Sequence, residues 1–228
     1  MAKSLVLYIA NKNYSSWSLR AWLVLRSLNL DFTTKMVYLD APETANILSK
    51  ISPTRKVPAL HIGASETKLF VVWDSLGIIE YLAEQNPQVW PADHEDKAIA
   101  KCIAAEMHAG FPNLRQTLPH NVRQRVPVSE AVLNDPAVLA EIDRVVEIWE
   151  QLRSKALGRA DDEGFLFGRF TAADAMYAPV CTRFRNHSVP IRSELARSYM
   201  DTILNYEPMR EWEADALKEE VVPRLELI

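Results

Sequence analysis

The apolar positions of the first third of the chain switch between two periods. Leu5-Val6-Leu7-Tyr8-Ile9 is a continuous apolar run, which predicts a strand buried on both faces. Between Ser16 and Leu28, the residues Leu19, Trp22, Leu23 and Leu25 recur at helical spacing. Asn29 tolerates left-handed backbone and ends that helix. Phe32 to Leu39 is short and β-rich. Ala45 to Ile51 is a helical patch that stops at Ser52-Pro53, because a residue before proline avoids helical geometry. Ala59-Leu60-His61-Ile62 and Leu69-Phe70-Val71-Val72 predict two short strands, joined by a hairpin-like connection at Gly63-Ala64-Ser65-Glu66. From Asp74 onward, Leu76, Ile79, Leu82 and Ala83 share one helical face. The predicted order is βαβαββα.

Asn86 to His94 carries Pro87 and Pro91 and no periodicity, which predicts a linker. Beyond it no strand pattern returns. Ile99, Cys102, Ile103, Met107, Gly110 and Leu114 trace one face of a long helix, and Val138, Ile142, Val145, Val146, Trp149 and Leu152 trace another. Asp174 to Asn186, Ser193 to Leu204 and Pro208 to Leu217 predict three more. The pattern divides the chain into an α/β domain at residues 1–85, a linker at 86–94 and an all-helical domain at 95–228.

Composition narrows the function classes. Lys and Arg number 26 against 30 Asp and Glu, a net charge of −4, so a sequence-independent nucleic-acid binder is not expected. No apolar run approaches the ~20 residues that span a bilayer. Met1-Ala2-Lys3-Ser4 runs straight into the first apolar stretch with no small-residue cleavage site, which argues against a signal peptide. Cys102 and Cys181 cannot build a disulfide framework and point to a reducing cytoplasm. Six glycines leave little for a glycine-rich phosphate loop. His61, His94, His108, His120 and His187 lack metal-ligand spacing, so no metal site is expected. Without Cys-x-x-Cys or Gly-x-Ser-x-Gly, a dithiol redox cycle and an α/β-hydrolase triad are not expected either.

Three runs carry candidate chemistry. Tyr14-Ser15-Ser16-Trp17-Ser18-Leu19-Arg20 follows the first strand and opens the first helix. Unpaired N–H groups and the positive end of the helix dipole stabilise an anion or a thiolate there, and a serine hydroxyl adds a directed donor. Serine is also a preferred N-cap, and that reading needs no ligand. In Lys56-Val57-Pro58-Ala59-Leu60, a cis bond before Pro58 would turn the Val57 peptide toward an extended ligand, whereas most X–Pro bonds are trans. Trp73-Asp74-Ser75 opens the third helix, where both polar residues are able either to cap the helix or to hold the charged end of a peptide.

In this order on a βαβαββα frame, the three runs resemble the glutathione S-transferase superfamily. Gly168-Arg169-Phe170-Thr171-Ala172-Ala173-Asp174 is a fourth match, similar to the family's N-capping box, with Thr171 capping and Asp174 answering it. The resemblance covers nearly the whole chain. It implies a thioredoxin-like N-terminal domain followed by an all-helical C-terminal domain. The Ser-Ser-x-Ser-x-Arg run is similar to the serine-type zeta class. There the first serine of the pair supports the glutathione thiolate, which implies Ser15 as the catalytic residue. The same resemblance implies glutathione binding by Ser16, Lys56, Val57, Pro58, Asp74 and Ser75, with a cis Val57–Pro58 bond. Val57 would pair its backbone with the cysteinyl part, Asp74 and Ser75 would hold the γ-glutamyl end, and Lys56 would reach a carboxylate. The second substrate would lie between the domains against Trp17, Met107, His108, Phe111 and Arg115, although a Met at helical spacing reads equally as core.

The implied activity is a cytoplasmic, homodimeric, detoxification-type transferase that needs no metal and offers glutathione thiolate to a small electrophile. Thiol peroxidation uses the same chemistry, as does cis–trans isomerisation of a maleylacetoacetate-type substrate. Zeta-like members carry a cysteine associated with that isomerisation where this chain has Trp17, a departure that counts against isomerisation without removing it as an alternative. A non-catalytic interaction protein on the same fold is the alternative from another class. Such relatives often lose the thiolate-supporting hydroxyl, which this chain retains.

Overall fold

The computed structural model describes residues 4–63 and 69–226. Met1-Ala2-Lys3 and the hairpin connection expected around Ala64-Ser65-Glu66 lie outside the described residues. Strands β1 (Leu5–Ala10), β2 (Thr33–Val37), β3 (Ala59–Ile62) and β4 (Phe70–Trp73) form one sheet in the order β2-β1-β3-β4. β1 pairs parallel with β2 and antiparallel with β3, while β3 pairs antiparallel with β4. A parallel pair needs a crossover, here helix α1 (Ser16–Ser27). Helix α2 (Thr44–Ile51) follows β2, and α3 (Ser75–Ala83) follows β4. This is the predicted βαβαββα order.

Strand β1 is sealed on one face only. Leu7 and Ile9 are fully buried, whereas Leu5, Val6 and Tyr8 are half-buried. The Tyr8 ring meets His61 at 4.6 Å and lies under the Lys35 ammonium, so an apolar run here marks one deep and one shallow face. Helix α1 departs the other way. Its apolar stripe is buried as expected, but so are Ser16, Ser18 and Arg20. The sheet domain lies against one side of α1, and helices of the second half lie against the other.

The second half contains α4 (His94–Ala109), α5 (Pro112–Thr117), the single turn α6 (Glu130–Leu133), α7 (Pro136–Ala156), α8 (Ala172–Asn186), α9 (Glu194–Asn205) and α10 (Glu207–Ala216). The stretch expected to be one long helix through Leu114 is broken into α4 and α5. Phe111 sits in left-handed backbone at φ 59°, and Pro112 opens the next helix. The buried face of α4 is Ala100, Ile103, Ala104 and Met107; Ile103 and Met107 are buried as expected, whereas Ile99 and Cys102 are exposed. The small residues Ala100 and Ala104 are completely buried, and α4 packs against α8. The linker is also more ordered than its composition suggests. Pro87–Val89 forms a 3-10 turn, and Val89 and Trp90 are anchored in the core.

α8 is the axis of the helical half, with every residue but Arg185 buried. Trp149 of α7 contacts the rings of Tyr177, Phe184 and Tyr199 at 6.2, 5.5 and 5.0 Å. No helix of the described residues is long and apolar enough to cross a membrane.

The expected capping box opens α8. Asp174 Oδ2 accepts the Thr171 N–H at 2.8 Å and the Thr171 hydroxyl at 3.0 Å, and Oδ1 accepts the Leu166 N–H at 3.0 Å. Asp174→Ala leaves these buried donors unmet and is expected to cost about 2 kcal/mol or more in chemical denaturation. Burial pushes the Asp174 carboxyl up to about 6 despite its donors. A carboxyl whose pKa is higher folded than unfolded favours the fold while protonated. That contribution is lost as pH rises from the ordinary 3.8 through about 6. The stability of the wild type relative to Asp174→Asn is therefore expected to be greatest below about pH 4 and to decline toward neutrality. A gap that widens with pH would contradict this assignment.

Candidate functional site

Three chain reversals converge beside α1. At the first, β1 ends at Ala10 and Ser15 caps α1. The Ser15 hydroxyl accepts the Ser18 N–H at 3.3 Å and donates to Ser18 Oγ at 2.8 Å, while Ser18 Oγ also accepts the Ala10 N–H at 3.2 Å. Ser15 is half-buried. Ser16 is buried, and its hydroxyl meets the Arg183 guanidinium at 3.4 Å. At the second reversal, the Val57–Pro58 bond is cis, as expected. The strand ladder begins one residue later, at Ala59, so the Val57 peptide group lies outside it. At the third, Asp74 takes left-handed backbone, φ 70°, and caps α3, its Oδ1 accepting the Leu76 N–H at 2.8 Å and the Gly77 N–H at 3.4 Å.

These reversals enclose a cleft of about 420 Å³, of a size suited to a small ligand. Its walls include Val57, Pro58, Asp74, Ser75, Trp17 and His108, with Thr54, Lys56 and Trp73 at its margin. Ser75 is completely buried, and its hydroxyl has no hydrogen-bond partner among the described residues. An unpaired buried hydroxyl is costly, and here it stands in a cleft wall at a helix N-terminus, beside an exposed carboxylate. The helical half supplies His108 from α4, whose Nε2 lies 3.4 Å from Asp74 Oδ2 and whose ring stands edge-on to Trp17 at 5.2 Å.

Not every predicted residue reaches the cleft. Lys56 is exposed at its rim. Ser15 and Ser16 stand at the α1 terminus and are not among the wall residues. Of the residues expected at a second-substrate site, Trp17 and His108 line the cleft. Met107 and Phe111 are instead core residues, Met107 on the buried face of α4 and Phe111 at the α4–α5 break. Arg115 bends back over the same break, its guanidinium donating to the carbonyls of Met107 and, at 3.1 Å, His108.

Behind Trp17 lies a group of cations that the sequence did not disclose. The guanidinium carbons of Arg20 and Arg115 lie over the Trp17 ring at 4.4 and 5.0 Å. Arg20 is buried; its Nε donates to the Met176 carbonyl at 3.2 Å, and its Nη1 has no partner. Arg183, also buried, donates to the carbonyls of Leu118 and, at 3.1 Å, Arg115. His120 is buried with both ring nitrogens unpartnered. Among the described residues, none of the three arginines makes an ion pair with a carboxylate. Burial, and then the neighbouring arginines, push Arg20 down to about 9; burial and Arg115 do the same to Arg183. Both remain charged at neutral pH. Burial, and then Arg183 and Arg20, hold His120 well below its ordinary value and keep it neutral. Arg20 belongs to the motif that marked the α1 terminus, but Arg183 and His120 are remote in sequence and carry no local signal.

The chain matches the family models described as the glutathione S-transferase N-terminal domain, over residues 14–85, and the glutathione S-transferase C-terminal domain, over residues 121–212. It is 33% identical over 120 residues to a probable maleylacetoacetate isomerase of Caenorhabditis elegans, covering 52% of this chain and 50% of that protein. The chain therefore aligns with about half the length of that curated relative. Among solved structures, it is similar to a Burkholderia glutathione transferase homologue with bound glutathione, at TM-score 0.68 and 22% identity, covering 95% of this chain and 100% of the other. It is also similar to Ure2p in complex with glutathione, at TM-score 0.70 and 16% identity, covering 94% and 95%. FzlA from C. crescentus has a TM-score of 0.68 at 16% identity, covering 92% and 91%. With both domain models matched in order on this fold, the chain belongs to the glutathione S-transferase family.

Proposed function

We propose that the cleft binds glutathione, holds its sulfur as a thiolate, and presents it to a small electrophile. Residues 1–85 would hold glutathione and residues 95–228 would contribute the electrophile's wall. The observation that carries this reading is the unpaired Ser75 hydroxyl in the cleft wall. A γ-glutamyl carboxylate there would accept from Ser75 and from the α3 terminus, and its ammonium group would meet Asp74. The Val57 peptide, outside the strand ladder, is free to pair with the cysteinyl backbone. This would aim the sulfur toward the α1 terminus.

A free thiol has a pKa near ~8.5, so little of it is ionised at pH 7. The α1 dipole and the buried arginines without carboxylate partners both favour an anion beside them. The Ser15 hydroxyl would turn from Ser18 to donate to the sulfur. The thiolate then attacks the electrophile, a carbon–sulfur bond forms, and the leaving group departs with its electron pair. A reducing cytoplasm is the proposed setting, and detoxification the proposed role, without a metal.

A second reading, glutathione-dependent isomerisation, is favoured by the arginine group. A cis-enone that bears a carboxylate would find an uncompensated positive field near the thiolate. Addition of the sulfur, rotation about the resulting single bond and departure of the sulfur return glutathione unchanged. Turnover of a maleylacetone analogue faster than any aryl halide, enal or hydroperoxide would select this reading. Failure to be retained on glutathione resin would leave the interaction-protein alternative.

Ser15→Ala is expected to raise the pKa of the bound thiol by ~1–2 units and cut conjugation at pH 7 by ~10–100-fold, with little loss of glutathione affinity. The thiolate absorbance of bound glutathione, titrated against pH, reads this directly. Identical curves for wild type and variant would remove Ser15 from the mechanism, and a shift seen only in Ser16→Ala would transfer its role to Ser16.

Ser75→Ala is expected to weaken glutathione binding about tenfold, yet leave the thermal midpoint unchanged or higher, because the hydroxyl is unpaired without ligand. Lower stability with unchanged affinity would instead mark Ser75 as structural.

We further propose a homodimer. Phe70 and Trp73 on the edge strand β4 are 56% and 42% exposed, Leu69 just before it is 45% exposed, and Ile99 of α4 is 43% exposed. An edge strand with exposed aromatic residues favours pairing with another surface. Sedimentation at micromolar concentration is expected to give twice the chain mass; a monomer would count against the proposal.

A further inference from the structure

The segment that leads into Ser15, residues 11–14, is held by the opposite end of the chain. Within the segment, the Tyr14 and Ser15 N–H groups both donate to the Asn11 carbonyl, at 3.1 and 2.9 Å. Almost every other polar group is tied elsewhere. The Lys12 N–H donates to Glu219 Oε1 at 2.7 Å, and the Asn13 N–H to Glu219 Oε2 at 3.1 Å. The Lys12 carbonyl accepts from Trp212 Nε1 at 3.0 Å, and the Lys12 ammonium pairs with Asp215 at 2.7 Å. The Asn13 carbonyl accepts the Val122 N–H at 3.0 Å, and Asn13 Oδ1 the Arg123 N–H at 2.9 Å. The Tyr14 hydroxyl donates to Glu226 and accepts the Val222 N–H at 3.0 Å. Arg123 secures the backbone on the other side of this clamp, donating to the Glu219 carbonyl at 2.6 Å and the Ala216 carbonyl at 3.3 Å.

One carboxylate thus meets two consecutive backbone donors immediately before the α1 cap. We infer that Glu219 is a positioning residue for the thiolate site, fixing through Lys12 and Asn13 the pose in which Ser15 enters α1. The inference rests on the reading that Ser15 receives the thiolate. Glu219 is not among the residues that line the cleft, so it acts through the segment and touches no substrate. Lys12 and Arg123 are the cations facing it, and neither replaces its two acceptor oxygens. Loss of the clamp leaves α1 in place, because the helix remains buried between the sheet and α8. It releases the Lys12 and Asn13 N–H groups and so loosens the segment that leads into Ser15.

The sign of one measurement separates this from the other roles Glu219 could have. Removing a negative charge, taken alone, makes a nearby thiolate easier to form and lowers the thiol pKa. Loosening the donor raises it. The experiment uses the full chain, wild type and Glu219→Gln, with glutathione titrated by thiolate absorbance and S-methylglutathione used for affinity. Glu219→Gln keeps one acceptor oxygen and sets an amide N–H against the other backbone donor. It is expected to raise the bound-thiol pKa by about 0.5–1 unit while S-methylglutathione affinity changes less than about threefold. A pKa that is unchanged or falls would overturn the inference, whatever happens to the melting temperature.

Amide hydrogen exchange of residues 11–18 without ligand supplies an independent arm. Exchange there is expected to quicken about tenfold in Glu219→Gln and not in α7 to α9, since opening the clamp costs about one hydrogen bond less. If the wild type binds no glutathione, the proposed function fails. The exchange arm still decides the clamp, and unchanged exchange overturns it.

Discussion

Helix α1 must satisfy two cores at once, and the rest of the molecule follows from that constraint. It crosses over between the parallel strands β1 and β2, so one side belongs to the sheet. Its other side packs against α8 and α10. Leu19, Leu23 and Leu25 are completely buried. Trp22, which meets Trp212 of α10 at 5.2 Å, is nearly so. A helix so enclosed cannot shift without opening both cores, and close-packed interiors resist such displacement. Its N-terminus is therefore a fixed point, and the cis-proline turn and the α3 terminus are arranged around it.

The same enclosure explains the electrostatics. Arg20 projects from α1 into the boundary between the two halves, where Arg115 and Arg183 also end. Their charges are met by backbone carbonyls and by the Trp17 ring, not by carboxylates. Carbonyl dipoles satisfy hydrogen bonds but leave the net charge in place. Buried charge of one sign is destabilising on its own and favours an arriving anion. Three arginines and an unpaired Ser75 hydroxyl are features that a ligand, not the fold, would complete.

The order of elements was legible because each strand run and helical stripe lies within a short window. So were the motif positions: Ser15, the Val57–Pro58 turn and Asp74-Ser75 each sit where a strand meets a helix or a turn. What stayed hidden depends on contacts between distant residues. Met107 and Phe111 pack in the core and not in the expected wall, since a stripe of apolar residues does not reveal which side the partner occupies. Trp90, in a segment with no periodicity, is a core anchor because a single large ring suffices. Arg183 and Glu219 approach the site from α8 and from beyond α10, and no spacing in the sequence links them to Ser15.

The central claim is that this cleft binds glutathione and ionises it. Calorimetric titration with glutathione at pH 7, repeated in buffers of different ionisation enthalpy, counts the protons released on binding. The account predicts saturable binding that releases most of one proton per chain, and binding of S-methylglutathione that releases none. Binding of the two ligands with equal proton release, or no binding of either, would contradict it.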